Sequence, residues 1–268
     1  MRDAKYCLRS WGPDPHTCSR MFSPIAAGTC ALLGVAGTVG LAAGGYAYAS
    51  LWPGSDLFGR ALRAPRRAGE LALTFDDGPN PAWTPKLLDV LAEHDIRATF
   101  FMLGSRAVAH APLVKRIDEA GHLIGNHSWS HPNLARTAAS EVRGELARTK
   151  DTLEQIAGKP VRYFRPPFGA RRPVVFKIAQ ELGMTVVLWN AMTSDWSEPS
   201  GNRIAAELIK KIDRLERRGH AANIVLHDGG HREPEAARGA SVMAVDILAE
   251  RYDRTHKFVT LDEWAASW

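Results

Sequence analysis

From Glu70 onward the chain alternates short apolar runs with stretches of helical periodicity, and nothing else in it narrows the fold as much. Residues 71–75, 98–103, 122–125, 161–164, 185–189, 223–226 and 257–261 read as strands. Between them the apolar spacing predicts helices over 85–91, 107–120, 138–157, 173–182, 203–218 and 242–252. Strands that alternate with helices pair in parallel, with the helices covering the sheet. About seven strands in roughly 200 residues suit an open or incomplete α/β barrel better than a closed eightfold one, which typically needs about 250.

The N-terminal quarter is of another kind. Residues 1–20 form a tail carrying Arg2, Lys5, Arg9 and Arg20, and no charged residue occurs from Met21 to Ser55. Within that span Phe22–Leu51 is rich in Ala, Gly, Val and Leu, and is long enough to cross a bilayer as a helix of about 20 residues. Residues 21–52 are therefore expected to be a transmembrane anchor or a signal segment, so that a hydrophobic helix precedes the barrel. A signal peptide's apolar core is about 7–15 residues, which favours the uncleaved anchor over cleavage after Ala47-Tyr48-Ala49. Lys and Arg flank the segment equally, so charge does not set its orientation. Residues 53–69, with Gly54, Pro65 and four arginines, read as a linker, and 70–268 as the catalytic domain. Cys7, Cys18 and Cys30 all precede that domain and decide nothing about its compartment. The net charge of +5 is modest and lies partly outside the domain, with no basic stripe interleaved with aromatics. A nucleic-acid partner is not expected.

In a parallel α/β barrel the active site gathers at the C-terminal ends of the strands. Here those ends carry Asp76-Asp77, Asn126-His127, Arg165, the loop Asn190–Trp196, and His227-Asp228. His127 and His131, four residues apart, are expected to face the same way on a helical turn and offer imidazole nitrogens to one cation. Asp77, directly after a buried strand, is the natural third ligand. Two histidines and a carboxylate leave positions open for water and substrate, as in catalytic zinc sites, but the same set holds non-haem iron(II). The doublet Asp76-Asp77 has two readings. Both acids cap the next helix or sit in the Gly78-Pro79 turn, or one binds a metal while the other stays free to take a proton.

The ordered set TFDDGP, HSWSH, RPPFG, SDW and LHD resembles the polysaccharide deacetylase family, also called NodB-homology or carbohydrate esterase family four, over roughly Glu70 to the C-terminus. The resemblance implies a distorted, incomplete (β/α) barrel that hydrolyses acetyl groups from glycans. It implies Asp76 as catalytic base, Asp77, His127 and His131 as metal ligands, and Arg165 as the group that orients the base. The backbone N–H of Phe168 falls where the family stabilises the oxyanion. Asp195 matches the acid that orients the catalytic histidine, Trp196 and Leu226 match walls of the acetyl pocket, and His227 matches the general acid. The implied cofactor is a divalent metal, zinc first, with Co2+, Mn2+ or Ni2+ as alternatives. Peptidoglycan N-acetylglucosamine is the first substrate expected, then chitin oligomers, then acetylated xylan. With such a substrate the catalytic domain is expected outside the cell membrane, tethered or secreted.

Two positions depart from the family pattern. Met192 stands where the fourth motif often begins with Asp, and Phe168 where Tyr is common. Trp83, Trp129 and Trp189 are further candidates for stacking on sugar rings. Two rivals remain: an iron(II) oxygenase with the same ligand types, and a non-catalytic glycan-binding protein on a decayed deacetylase fold. The first leaves Asp76 and the His227–Asp195 pair without a role; the second normally lacks an acid, base or ligand, and none is missing here.

Overall fold

The computed structural model describes residues 44–268. Its strands are β1 (Glu70–Gly78), β2 (Thr99–Met102), β3 (Leu123–Asn126), β4 (Tyr163–Phe164), β5 (Thr185–Val186), β6 (Ala191–Met192), β7 (Ala222–His227) and β8 (Lys257–Phe258). All named pairings among them are parallel. Seven lie in the order β5-β4-β3-β2-β1-β7-β6 and curl into a distorted half-barrel, while β8 pairs with the first residues of β1. The two outer strands, β5 and β6, are separated in sequence only by Val187–Asn190. One stretch of chain thus leaves β4 at its start and reaches β7 at its end. The short strand at 191–192 escaped sequence reading because two residues carry no periodicity.

The helices are α1 (residues 44–51), α2 (Thr84–Glu93), α3 (Gly104–Ala109), α4 (Ala111–Glu119), α5 (Ala139–Ala157), α6 (Pro173–Glu181), α7 (Gly201–Glu216), α8 (Gly239–Tyr252) and α9 (Leu261–Ala265). The single helix expected over 107–120 is two, broken at His110. Pro112 in the first turn of α4 has no N–H to continue a preceding helix. The last expected strand, 257–261, pairs only over Lys257–Phe258. Thr260 and Glu263 then form a reciprocal cap that starts α9.

Strand alternation divides the apolar residues into two cores. Leu71, Leu73 and Phe75 of β1, with Ile224 and Leu226 of β7, face the helix layer, as do Leu208 of α7 and Leu248 of α8. Ala72, Tyr163, Leu261 and Trp264 fill the barrel near the strand starts. Trp264 donates to Glu70 at 2.7 Å and Tyr163 to Asp262 at 2.5 Å, so α9 floors the barrel. The opposite end, at the strand C-termini, is left for polar side chains.

Residues 53–69, expected as a linker, are packed. Ala61 and Leu62 are buried. The Leu62 amide donates to Val186 O at 2.8 Å, and Leu188 N–H donates back to Leu62 O at 3.1 Å. Arg63 gathers the stretch by donating to Pro53 O, Ser55 O and Asp56, each within 2.8 Å. Buried Arg171 donates to the carbonyls of Trp52 (2.6 Å) and Ser55 (3.1 Å) just beyond α1. Arginines of this kind satisfy carbonyls that a helix end leaves unpaired, a use that composition alone does not reveal. The tail at 1–20 and most of the expected membrane segment, residues 21–43, lie outside the described residues. Among the described residues no helix is long and apolar enough to cross a membrane.

Candidate active site

Adjacent residues on a strand point to opposite faces, so two neighbouring acids cannot both reach one site from a regular ladder. Here the ladder is irregular. Asp76 pairs with Phe101 and Gly78 with Met102, which leaves Asp77 as an extra residue in a bulge. Asp77 takes φ 71°, left-handed backbone that Asp tolerates better than most residues. Gly229 makes this possible: a Cβ there would lie 2.1 Å from Asp77 O. Both carboxylates consequently sit at the mouth of the barrel, each almost fully buried.

His127 and His131 converge on them from a loop, not from the helical turn that the spacing suggested. His127 follows β3 directly, and Ser128 (φ 70°) and His131 (φ 63°) both take left-handed backbone. Side chains hold the loop. Asn126 accepts the Ser128 amide at 2.8 Å, and Glu145 of α5 accepts the amides of Trp129 and Ser130, each at 2.8 Å. His127 Nδ1 faces Arg165 O at 2.8 Å; donation there leaves Nε2 with a free lone pair. Asp77 Oδ1 lies 3.5 Å from His127 Nε2 and 3.2 Å from His131 Nε2.

Asp77, His127 and His131 each offer a ligand atom, and these atoms lie within 4.8 Å of one another. A divalent metal fits this donor set. Among the described residues Asp77 Oδ1 is buried without a hydrogen-bond partner, which is costly unless a cation takes it up. Burial pulls the pKa of His131 down to about 3, so its imidazole is neutral and able to ligate. For Asp77 burial acts to raise the pKa, but opposing influences, first among them hydrogen bonding from His231, outweigh it and hold the carboxyl well below its ordinary value.

Arg165, fully buried, lies between floor and mouth. Its Nη1 donates to Asp76 Oδ1 at 2.7 Å and to Thr74 Oγ1 at 2.8 Å, and its guanidinium stacks 4.1 Å over the Phe101 ring. The Thr74 hydroxyl donates in turn to Ile224 O at 2.7 Å. Asn223 Oδ1 stands 3.5 Å from Nη2. Thr74 and Asn223 were not singled out in the sequence, although period-two alternation places them on the faces of Asp76 and His227.

His227 is the register partner of Asp76 across the β1–β7 pairing. Its Nδ1 meets Asp195 Oδ1 at 2.8 Å, and its amide donates to Asp195 Oδ2 at 2.8 Å. Ser241 of α8, also unforeseen, donates to the same Oδ2 at 2.8 Å. Burial acts against the charged ring, but the Asp195 carboxylate prevails and raises the His227 pKa to about 9. Trp196 stands edge-on to His227, ring centroids 5.3 Å apart. Asp228, buried next to it, accepts from Thr84 at 2.5 Å, and burial raises its pKa to about 7; it backs the Gly78 turn.

These groups open into a cleft of about 750 Å³ walled by Phe168, Trp189, Met192, Trp196 and Val225. One expectation is corrected. Leu226 packs in the helix-side core, and its neighbour Val225 faces the cleft, because residues two apart share a strand face and His227 faces the cleft. Of the three tryptophans proposed for stacking only Trp189 lines the cleft; Trp129 lies under Arg148, and Trp83 under Lys86. Phe168, at φ 57°, places its ring edge-on to His131 with centroids 4.5 Å apart.

The family profile for polysaccharide deacetylases matches residues 63–187. A peptidoglycan-N-acetylglucosamine deacetylase of Bacillus cereus is 36% identical over 207 residues, 77% of this chain and 72% of the relative. A chitooligosaccharide deacetylase of Azorhizobium caulinodans is 35% identical over 65% of this chain and 80% of its own. The crystal structure of the Bc1960 peptidoglycan N-acetylglucosamine deacetylase superposes with a TM-score of 0.67 at 35% identity, over 75% of this chain and 90% of that one. A family 4 acetyl xylan esterase from Clostridium thermocellum, in complex with cobalt, gives 0.62 at 30% identity over 74% and 90%. Sequence, fold and the Asp-His-His cluster agree, and the chain belongs to the polysaccharide deacetylase family, as a hydrolase of carbohydrate esterase family four.

Proposed function

We propose that this enzyme removes N-acetyl groups from N-acetylglucosamine units of peptidoglycan, on the outer side of a membrane to which the N-terminal segment holds it. The observation that carries the reading is the triad of Asp77, His127 and His131, flanked by a second carboxylate and an ion-paired imidazole that are register partners on adjacent strands. Similarity to the Bacillus cereus deacetylase favours peptidoglycan, and the uncharged stretch Met21–Ser55 favours an anchor.

Asp77, His127 and His131 would hold a divalent cation, with zinc the first choice for two imidazoles and a carboxylate. Such a cation, when bound, polarises an acyl carbonyl and makes water more acidic. Asp76 takes the proton from the attacking water. Arg165 fixes Asp76 in place by a charge-assisted bond at one oxygen, Oδ1, and leaves Oδ2 free to accept. The Phe168 N–H supplies a donor to the oxyanion, a contribution of about 2.7–4 kcal/mol at comparable sites. His227 holds its proton through Asp195 until the leaving amine takes it. Trp196, Trp189 and Val225 give the acetyl methyl an apolar wall. Acetate release from peptidoglycan, chitin oligomers and acetylated xylan, with and without chelator, tests this. Chelator-sensitive release greatest from peptidoglycan is expected; preference for acetylated xylan would refute the amide assignment.

A further inference from the structure

His231, in the loop after β7, belongs to none of the motifs, yet its Nδ1 lies 3.5 Å from the Asp77 carboxylate of the metal site. We infer that His231 is a positioning residue for the metal centre, its Nδ1–H supporting Asp77 Oδ2 so that Oδ1 alone is presented to the cation. The inference rests on the reading of Asp77, His127 and His131 as metal ligands.

Three observations carry it. First, the two oxygens of Asp77 face different imidazoles. Oδ1 lies 3.2 Å from His131 Nε2 and 3.5 Å from His127 Nε2, whereas Oδ2 lies 3.5 Å from His231 Nδ1. A shift of about half an ångström brings this last pair to ordinary hydrogen-bond length. His231 is not among the side chains whose ligand atoms lie within 4.8 Å of one another.

Second, the ring is oriented by stacking. His131 and His231 lie nearly parallel, 18° apart with centroids at 4.3 Å, and Phe168 stands edge-on to both. Third, the loop that carries His231 is built to present it. Arg106 donates to Gly230 O, and Arg238 Nε donates to Gly229 O at 2.7 Å; both arginines are buried. Gly229 lies against the Asp77 backbone, and a Cβ on Gly230 would come within 2.8 Å of Ala236 and 2.9 Å of Arg238. A carboxylate held at one oxygen cannot swing to chelate with both, so the partner fixes ligand number as well as direction.

Zinc dissociation constants, measured by chelator competition on the full chain, test the role. Nδ1 of His and Nδ2 of Asn are both bonded to Cγ, so H231N keeps a donor near Oδ2 while H231A removes it. H231A is expected to bind zinc about 10–100-fold more weakly, H231N within a few-fold of the native chain, and the metal-free proteins are expected to melt together. Native-like affinity in H231A, or equal weakening in H231N, would overturn the role of His231. Absence of zinc binding by the native chain itself would instead overturn the metal reading beneath it.

Discussion

The cleft has two walls made by opposite means. On the metal wall Asp77, Ser128 and His131 all take left-handed backbone, and Asp77 Oδ1 and His131 Nδ1 are buried without partners among the described residues. On the acid wall His227 sits at the end of a regular strand, and both oxygens of its Asp195 partner are hydrogen-bonded. One wall keeps a neutral imidazole at His131, the other a charged one at His227. The difference teaches that a ligand oxygen, Asp77 Oδ1, is left unsatisfied where a cation is to enter, whereas a proton donor is satisfied in advance so that it keeps its proton.

The severest way to break the contrast is to remove a metal-wall ligand. His131→Ala leaves only two donors for the cation. Metal content by elemental analysis is expected to fall to background, and turnover to that of chelated native enzyme. An H131A protein retaining a full equivalent of metal would show that the unpaired atoms of this wall serve something else. Next in size is Asp76→Asn, which keeps the Arg165 contact but loses the basic oxygen. Turnover should fall about 10²–10⁴-fold, with metal content unchanged. That split, metal kept and rate lost, separates the two neighbouring acids. Equal loss of metal would merge them into one ligand pair.

The doublet also shows what sequence could and could not reveal. That two carboxylates stand at the end of a buried strand is legible from TFDDGP, and the end of the barrel at which they gather follows from strand–helix alternation. How both reach one site is not legible. It depends on a bulge at Asp77 and on Gly229, about 150 residues away in sequence, packing against it. The His127–His131 spacing likewise suggested a helical turn, while the actual convergence comes from two left-handed residues and a half-buried anchor at Glu145. Leu226 and Val225 were exchanged for a simpler reason. A strand's face is fixed by its parity, and a motif shared with a family carries no parity by itself. The packed stretch at 53–69 shows a third limit: Arg63, which resembles linker charge in composition, is spent on carbonyls.

The acid wall is tested by Asp195→Asn. A general acid must carry its proton when substrate binds, so kcat/KM falls as pH rises through the pKa of the free enzyme's acid. In the native chain that fall is expected near pH 9, because Asp195 holds His227 at about 9 against the opposing effect of burial. Without the carboxylate charge burial, which favours the neutral ring, is opposed only by the weaker pull of Asp77 and Asp76. The alkaline fall should then move well below pH 9, towards the ordinary value for the group, 6.5. A pH profile of acetate release checks this. An alkaline limb left near 9 in D195N would assign it to some group other than His227.

The smallest effect expected is at Ser241, and its sign makes it informative. Ser241 donates to Asp195 Oδ2, which also accepts the His227 amide, so Ser241→Ala removes one of three bonds and leaves the carboxylate charged. Loss of one such bond costs about 1 kcal/mol, and that corresponds to roughly five-fold in rate if it is felt wholly in the positioning of His227. The carboxylate, relieved of one donor, becomes a stronger partner for the imidazole. The alkaline limb of S241A should therefore stay in place or rise, opposite to its fall in D195N. If the limb of S241A drops as well, the acid wall is held by the hydroxyl as much as by the charge, and the contrast with the unsatisfied metal wall loses its electrostatic basis.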